Sequence, residues 1–576
     1  MAEKLTNEQQ AAVDSRERSL LVSAAAGSGK TKVLVERLFS YVEREGANLD
    51  DFLIITYTRA AASELRGKIA KALTERMERD PGNYHLRQQM LRVYRADIKT
   101  VDAFCTALLR ENCHLLGEDA RGHALRPDFR VLDENEAQVL RERVLARTLD
   151  DFYDHLTPGG TLLADTLGAG RDDSALEDLV LELHAKLQAQ PYEDKWLEAQ
   201  RAFWRAVPDK IEDTPYGKIL LNEVRRKARH CKNLLQRAAQ EMCANDALNQ
   251  KYAPAFLDAS YQLEALEGKT AEGWDAARGV TIAFPRLAAV KDSDGGEMKA
   301  RMKSLWDNCK ETVKGFAEIF SASSDEAVED LRTMAPAMLA LIDLTADFSR
   351  RYNEEKRRRN SADFSDQEHE AIRLLIGEDG APTELARIVS ARYREIMVDE
   401  YQDTNEVQNR IFDAISCKGE NLFTVGDVKQ SIYRFRLADP RIFLQHYNTW
   451  PPLEDAEEHD SAKLLLSRNF RSRKEVLDAT NFIFCNILSE EMGELDYGAD
   501  EMLRLGANYV ESSACGAEFH LLDLPTQTGE QRVRASEAEA AFVADYISNM
   551  LTSEFPIQDD KTKELRPVRE EDIVIL

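Results

Sequence analysis

The 576-residue sequence is informative first for what it lacks. It has eight cysteines and no Cys-x-x-Cys pair, which argues against a disulfide scaffold and a zinc ribbon. It has no run of 18 apolar residues, and its first ten residues are polar, so neither a membrane span nor a secretory signal is predicted. With only 16 prolines and 27 glycines, collagen-like and wholly disordered classes are excluded. We therefore expect a soluble, cytoplasmic protein of several domains with no membrane partner.

The net charge does not select a binding partner. The chain has 76 Lys and Arg against 103 Asp and Glu, a formal charge of −27. A net negative field does not draw the whole molecule onto nucleic acid. A local groove of Lys, Arg and aromatic side chains can still bind a single strand, because such contacts act at short range. Overall charge therefore argues against a nonspecific DNA-coating protein but does not exclude a nucleic-acid motor.

Short apolar runs predict the strands of a parallel sheet. Each run is followed by Ser, Thr, Asp or Gly and then by a helical pattern, as βαβ units require. The runs are residues 20–22, 52–55, 396–398 and 421–425, with a weaker one at 98–101. Between 122 and about 360 long charged helical patterns, such as 133–149 and 325–351, replace the strands. Because ligands of doubly wound sheets bind beyond the carboxyl ends of the strands, we look there for the site.

The strongest motif is a phosphate-binding loop between the first strand and the helix after it. It reads Ala-Ala-Ala-Gly-Ser-Gly-Lys-Thr and differs from the usual pattern only at its first residue. Backbone N–H groups in such a loop surround phosphates, and the helix N-terminus adds partial positive charge. The predicted nucleotide-binding residues are Ala24, Ala25, Ala26, Gly27, Ser28, Gly29, Lys30 and Thr31. Among these, Lys30 would reach the β- and γ-phosphates and Thr31 would ligate Mg²⁺.

Three further motifs follow later strands and could complete a nucleotide site. Asp399 and Glu400 end the strand at 396–398, where Asp399 would hold Mg²⁺ and Glu400 would orient and deprotonate a water molecule. Gln430 would sense the γ-phosphate, and Arg471, supplied from a second domain, would stabilise charge on a transferring phosphoryl group. Two of these motifs have another interpretation when taken alone. The acid pair could be a helix N-cap, and the arginine could belong to a surface ion pair.

Alternating aromatic and basic residues follow Gln430. Tyr433 and Phe435 could present ring faces on which bases stack, although aromatic residues in such a pattern are also common in protein cores. Two stretches elsewhere are locally basic, 225–229 and 356–359. They are consistent either with solvated helix faces or with a surface that faces DNA.

Together these motifs resemble the superfamily 1 DNA helicases of the UvrD, Rep and PcrA type. Residues 5–13 are similar to the family's Q motif, with Gln9 in the adenine-reading position. The segments 24–31, 56–66, 100–105, 399–403, 426–436 and 466–472 resemble motifs I, Ia, Ib, II, III and IV. The family usually has Phe where Tyr57 stands, which keeps a ring for stacking. The resemblance implies DNA contacts at Thr56, Tyr57, Thr100, Tyr433, Phe435 and Arg436.

Within that superfamily the sequence most resembles the AddA subunits of bacterial AddAB helicase-nucleases. The match rests on residues 22–31, 363–366 and 425–440 and on the oversized helical insertion. It implies an ATP-dependent 3′-to-5′ DNA helicase of double-strand break repair, with ATP and Mg²⁺ as cofactors. Its implied partners are single-stranded and duplex DNA and an AddB-like subunit in a heterodimer. Its implied catalytic residues are Glu400, Lys30, Gln430 and Arg471.

The expected fold is α/β: a RecA-like P-loop sheet with a large all-helical insertion and the start of a second RecA-like domain. The predicted boundaries are 1–120 and 363–460 for the first motor domain, 121–362 for the insertion and 461–576 for the second motor domain. In that last region we expect strands at 464–466, 517–522 and 572–576 and a helix at 536–551. Because the chain ends on an apolar strand, we expect a fragment, with the family's motifs V and VI and its nuclease domain beyond residue 576.

Two other functions remain open from the sequence. One is a standalone UvrD-like repair helicase without a nuclease partner. The other is a non-catalytic scaffold that binds DNA or a protein partner, although such proteins usually lose the loop lysine or the catalytic acid, and both are present here.

Overall fold

The computed structural model describes residues 5–119, 121–167, 174–416, 419–510, 516–524, 534–559 and 562–576. Contacts divide the chain into two units. The first, which we call the sheet unit, comprises Met1–Ala137, Gln188–Pro191 and Glu354–Leu576. The second, the helical unit, comprises Gln138–Leu187 and Tyr192–Asn353. Among the described helices, none is both long enough and apolar enough to cross a membrane.

The strands of the sheet unit are short, with two to five residues each. The strands of the described residues are β1 (Leu20–Ala24), β2 (Phe52–Thr56), β3 (Asp97–Thr100), β4 (Arg130–Val131), β5 (Ser361–Ala362), β6 (Glu395–Val398), β7 (Leu422–Gly426), β8 (Ala462–Leu466), β9 (Arg468–Asn469), β10 (Arg504–Leu505), β11 (Pro556–Gln558) and β12 (Leu565–Pro567). Six of them form one sheet in the order β3-β2-β6-β7-β1-β8. All neighbours in that sheet run parallel, so their carboxyl ends lie along one edge.

Helices account for the rest of the regular structure. The helices of the sheet unit are α1 (Asn7–Asp14), α2 (Lys30–Arg44), α3 (Arg59–Arg79), α4 (Tyr84–Arg92), α5 (Val101–Asn112), α16 (Phe364–Leu375), α17 (Glu384–Arg392), α18 (Glu406–Ile415), α19 (Pro440–Thr449), α20 (Lys474–Ile487), α21 (Glu490–Gly493) and α22 (Ala535–Thr552). The helical unit and its borders contain α6 (Glu134–Asp154), α7 (Pro158–Leu167), α8 (Ser174–Gln188), α9 (Glu193–Arg205), α10 (Pro215–Met242), α11 (Asp246–Lys251), α12 (Ala253–Glu272), α13 (Trp274–Arg278), α14 (Asp292–Ile319) and α15 (Ser324–Arg358).

The structure confirms the α/β class and the five strands predicted before residue 460. Strands β1, β2, β6 and β7 are rich in Val, Ile, Leu and Phe and are buried along their whole length, as expected where helices cover both faces of a parallel sheet. The helix predicted at 536–551 is also present, as α22.

The strand predicted at 464–466 is present as β8, which pairs with β1 at the edge of the first sheet. Two other predictions after residue 460 differ from the structure. Residues 517–522 have no strand partner in the described part of the chain, and the side chain of Phe519 is 90% exposed. Residues 573–576 follow a 3₁₀ turn and form no strand. An apolar run becomes a strand only where another strand offers it hydrogen bonds.

The two basic stretches use their charges within the protein. On α10, Arg225 donates a hydrogen bond to Thr270. Arg226 and Lys227 form ion pairs with Glu223, and Arg229 forms one with Glu267.

The second stretch lies at the end of α15. Lys356 is 1% exposed, and its Nζ lies 2.8 Å from Asp363 and 2.7 Å from Asp366. Its neighbours Arg357, Arg358 and Arg359 pair with Glu370 and Glu355. These contacts favour a structural role for both stretches over DNA binding.

A buried ion pair joins three elements of the sheet unit. Arg37 on α2 is 0% exposed, and its Nε donates to Glu395 at the start of β6 over 2.8 Å. Its Nη1 donates to the carbonyl of Ala12 on α1 over 2.6 Å. The hydroxyl of Tyr41 donates to the same carboxylate over 3.0 Å. Because each polar atom here has a partner, the charges are tolerated, and they lock α1 and α2 against the sheet.

We predict that Glu395→Gln lowers the free energy of unfolding of the sheet unit by about 3–5 kcal/mol, since it leaves the Arg37 charge buried without its counterion. The matched control is Arg44→Gln, which breaks the ion pair between Arg44 and Asp14, whose side chains are 60% and 44% exposed. That change should cost less than about 1 kcal/mol. Urea unfolding of both variants measures the difference, and equal midpoints would contradict the prediction.

Candidate active site

The loop after β1 has the backbone shape of a phosphate cradle. Gly27 and Gly29 have positive φ angles of 70° and 87°, which glycine adopts without strain. Helix α2 begins at Lys30, directly after them. The loop therefore presents a helix N-terminus and its unpaired N–H groups at the carboxyl edge of the sheet.

The carbonyls of this loop are held from outside it. Three consecutive carbonyls each accept one hydrogen bond: Ala26 from Asn469 Nδ2 at 2.7 Å, Gly27 from the Phe470 N–H at 2.8 Å, and Ser28 from Gln9 Nε2 at 2.9 Å. Phosphate oxygens need donors, and a carbonyl facing them would repel them. Because these three carbonyls are bonded to protein groups, they are not left to face an anion at the loop.

Strand β6 brings two carboxylates to the same edge. Lys30 Nζ lies 2.6 Å from Glu400 Oε2 and 3.5 Å from Gln430 Oε1. Lys30 and Glu400 are 370 positions apart in the sequence. The structure thus assembles three of the predicted catalytic residues at one point, although they come from α2 and from the segments after β6 and β7.

Glu400 is held in an unusual backbone conformation. Its φ of 51° and ψ of 44° are left-handed, which costs a non-glycine residue of the order of 1–3 kcal/mol. Gln402 Nε2 donates to Glu400 Oε2 over 3.0 Å, and Gln402 Oε1 accepts from the Asp427 N–H at 2.9 Å. The neighbouring Gly426 leaves room for this side chain, because a Cβ there would lie 2.4 Å from Gln402 Oε1. Gln402 is therefore a positioning residue that the sequence motifs did not assign.

Burial and the Glu400 charge raise the pKa of Asp399 to about 6. The same two causes raise the pKa of Asp403 to about 6. The Lys30 ammonium partly opposes both shifts. The site therefore holds more negative charge than one lysine neutralises, which favours a bound cation.

The donor set fits Mg²⁺ and a triphosphate. Asp399 and Thr31 offer hard oxygen ligands, which Mg²⁺ prefers. Among the described residues no group of three or more His, Cys, Asp or Glu side chains could hold a metal ion alone. The Ser28 hydroxyl is buried and has no hydrogen-bond partner among the described residues, so it is available to a ligand.

A cleft of about 170 Å³ adjoins the loop. Its lining includes Gln9, Ser28, Arg468, Phe470 and Arg504. Gln9 is 3% exposed; its Nε2 donates to the Ser28 carbonyl and its Oε1 accepts from the Thr6 N–H at 3.0 Å. An aromatic ring and arginines beside the phosphate loop suit a planar base. Phe470 and Arg468 lie within the motif at 466–472 but had no assigned role, and nothing in the sequence pointed to Arg504.

Arg471 lies beside the phosphate loop. A Cβ placed on Gly27 would be 3.0 Å from the Arg471 Cβ, and the Arg471 N–H donates to Asn469 Oδ1 over 2.8 Å. We expected this arginine from a second domain. Its segment instead continues directly from β8 of the same sheet, and Asn469 connects it to the loop.

The predicted DNA-contacting residues fall into two groups. Thr56 and Thr100 are 2% and 7% exposed, and their hydroxyls bond backbone atoms of Thr58 and Ala103. Tyr57 is half-buried, with its hydroxyl bonded to Thr404. The structure therefore gives Thr56 and Thr100 no free side-chain surface for a strand.

Tyr433 and Phe435 are on the surface. They are 38% and 76% exposed, and their ring centroids are 6.0 Å apart. They follow the 3₁₀ turn Val428–Gln430 that places Gln430 beside Lys30. The side chain of Arg436 lies outside what the structure describes.

Comparisons with known proteins agree with this geometry. A family model described as the UvrD/REP helicase N-terminal domain matches residues 5–451. Curated relatives named as the A-type subunit of an ATP-dependent helicase/nuclease include those of Ruminiclostridium cellulolyticum and Acetivibrio thermocellus, each 34% identical over 100% of this chain and 49% of the relative. The one from Listeria innocua is 33% identical over 99% of this chain and 47% of the relative. The chain spans about half the length of the curated relatives it matches.

We predict that Gly27→Ala weakens binding of a fluorescent ATP analogue at least about tenfold, the effect of about 1.4 kcal/mol. The added Cβ would meet Asn469 Nδ2 at 2.7 Å, so either the loop or the Asn469 side chain must move. The control is Gly46→Ala, whose φ of 68° is similarly strained but whose Cβ would meet nothing within 4 Å. The two variants share the cost of a side chain at positive φ and differ in the collision, so equal losses of nucleotide affinity would contradict the prediction.

Proposed function

Because the chain belongs to the UvrD/REP helicase family, we propose that it is the N-terminal part of an ATP-dependent DNA helicase. We propose further that the helicase is one subunit of a helicase-nuclease in double-strand break repair, moving 3′ to 5′ along DNA. The observation that carries the proposal is the 2.6 Å contact between Lys30 and Glu400. The contact sets the lysine of a phosphate-binding loop against a carboxylate that can activate water, and hydrolysis of a triphosphate needs both groups at one point.

The proposed nucleotide site uses the loop N–H groups and Lys30 for the phosphates and the adjoining cleft, with Gln9, for the base. Thr31 and Asp399 would hold Mg²⁺, which neutralises phosphate charge when it is bound. Arg471, beside Gly27, would neutralise further charge on the outer phosphate.

The Lys30–Glu400 contact implies an order of events in hydrolysis. Without a triphosphate, Lys30 neutralises Glu400. Phosphate oxygens compete for the Lys30 ammonium, and Glu400 is then free to accept a proton from the attacking water. Gln430, bonded to Asp427 Oδ2 at 2.7 Å, is held where it can contact the outer phosphate. The carboxylate therefore becomes a base only when substrate has arrived.

The proposed single-strand platform is the exposed pair Tyr433 and Phe435. Aromatic rings bind bases of any sequence by stacking, as a motor that moves along DNA requires. Because these rings follow the turn that holds Gln430, hydrolysis and DNA movement share one segment. An acidic overall charge is compatible with this mode, since stacking does not depend on the net field.

The relatives are named as helicase/nuclease subunits, which favours a helicase-nuclease over a standalone repair helicase. An AddB-like subunit is accordingly the proposed partner, and co-purification with such a subunit from the native source separates the two alternatives. The intact set of Lys30, Thr31, Asp399 and Glu400 argues against a non-catalytic scaffold.

We predict that Glu400→Gln in the intact protein lowers kcat for ATP at least about 100-fold, as loss of a general base does, while ATP binding persists. Lys30→Ala should lower both kcat and ATP affinity, because it removes a phosphate contact. The control is Glu406→Gln on α18, which alters a half-exposed carboxylate beside Arg410. Phosphate release and equilibrium binding measure the two quantities, and unchanged turnover in Glu400→Gln would refute the proposed function.

We predict that Phe435→Ala weakens single-strand DNA binding by about 1–3 kcal/mol, roughly 5- to 150-fold. The matched control is Phe482→Ala on α20, whose ring is 73% exposed against 76% for Phe435. Fluorescence anisotropy with an oligo-dT probe measures both variants. If the Phe482 variant loses as much affinity as the Phe435 variant, the platform is assigned to the wrong surface.

A further inference from the structure

Thr404 is a buried junction between three segments at the carboxyl edge of the sheet. It is 0% exposed, and its hydroxyl is bonded to the hydroxyl of Tyr57. Its carbonyl accepts a hydrogen bond from the Asp439 N–H at 3.0 Å, and its own N–H donates to the Tyr401 carbonyl over 3.2 Å. All of its hydrogen-bonding groups are thus used, which fixes its position.

Two of these bonds lead to the surfaces proposed for DNA. Tyr57 directly follows β2, and Asp439 follows the segment that contains Tyr433 and Phe435. The third bond, from the Thr404 N–H to the Tyr401 carbonyl, leads toward the carboxylate of Glu400. Thr404 ends the 3₁₀ turn Tyr401–Asp403, and the Asp403 N–H donates to the Glu400 carbonyl over 2.9 Å. A displacement of Tyr57 or Asp439 therefore reaches Glu400 through one short, hydrogen-bonded turn.

The Tyr57 hydroxyl serves this junction and not base stacking. A base stacks on the face of a ring and needs no hydroxyl. The Tyr57 hydroxyl lies against Thr404, and burial, together with the charges of Asp403, Glu368 and Asp399, raises its pKa, so it stays protonated. It can therefore act as a neutral hydrogen-bonding group at this contact.

We propose that Thr404 is a positioning residue that couples single-strand binding to Glu400 through its hydrogen bond with Tyr57. The strained left-handed backbone of Glu400 is the element on which the coupling acts, because such a conformation persists only while its surroundings hold it. The inference rests on the proposed function and specifies how its two sites communicate.

The test is Thr404→Val in the intact protein, which removes the hydroxyl and keeps the shape. ATP turnover is measured without DNA and with saturating oligo-dT, together with oligo-dT affinity. We expect DNA-stimulated kcat to fall about 3- to 10-fold more than turnover without DNA, the effect of losing one hydrogen bond. DNA affinity should stay within about twofold, and Thr404→Ser, which keeps the hydroxyl, should restore the stimulated rate.

Tyr57→Phe removes the same bond from its other end. It should lower the stimulated kcat by the same factor, and the double variant with Thr404→Val should lower it no further, because one interaction is lost in all three. Thr345→Val is the control for removing a buried threonine hydroxyl, since Thr345 is 0% exposed and its hydroxyl donates to the Leu341 carbonyl within α15.

Each other outcome overturns the proposal. Additive effects of the two substitutions, or equal losses with and without DNA, would show a structural contribution alone. A wild-type stimulated rate in Thr404→Val would show that the bond carries no coupling, while leaving the helicase assignment intact. Absence of DNA-stimulated turnover in the unmodified protein would instead remove the proposed function and this inference with it.

Discussion

The parallel register of β1, β6 and β7 is the constraint on which the rest of the site depends. Because these strands lie side by side and run the same way, the residues that follow each of them meet at one edge. That alignment puts Lys30 against Glu400 and Gln430 across 370 and 400 positions of sequence. A shift of one residue in β6 would turn each of its side chains to the opposite face of the sheet and move the Glu400 carboxylate away from Lys30.

The site raises the free energy of the folded state, and contacts in the surrounding structure offset that increase. Asp399, Glu400 and Asp403 crowd negative charge into a partly buried space, and Glu400 has a strained backbone. The buried Arg37–Glu395 pair holds β6 at its other end against α1 and α2. The strand that leads to Glu400 is therefore anchored at its start, and the groups with unfavourable energies are those that a cation and a triphosphate would satisfy.

Much of the site could be predicted from local sequence because its motifs are short and their chemistry is specific. A glycine-rich loop ending in Lys-Thr and an acid pair after an apolar strand each define a local conformation. The residues that hold those motifs in place could not be predicted. Gln402, Asn469 and Arg504 act through contacts that are distant in sequence, and Asn469 clamps a loop 443 positions away. The basic stretches were ambiguous because their acidic partners lie on other turns or other helices.

The sequence by itself determined the five strands before residue 460, where the phosphate loop bends and which residue types can bind a triphosphate. These follow from periodicity, glycine and side-chain chemistry, which act over a few residues. Only the tertiary structure decided that β8 joins the first sheet, that Arg471 lies beside Gly27 without help from a separate domain, and that the Tyr57 hydroxyl meets Thr404. Those outcomes depend on which strand edges and buried donors form hydrogen bonds with one another. The pairing joins segments that are distant in sequence, so it is fixed only in the folded chain.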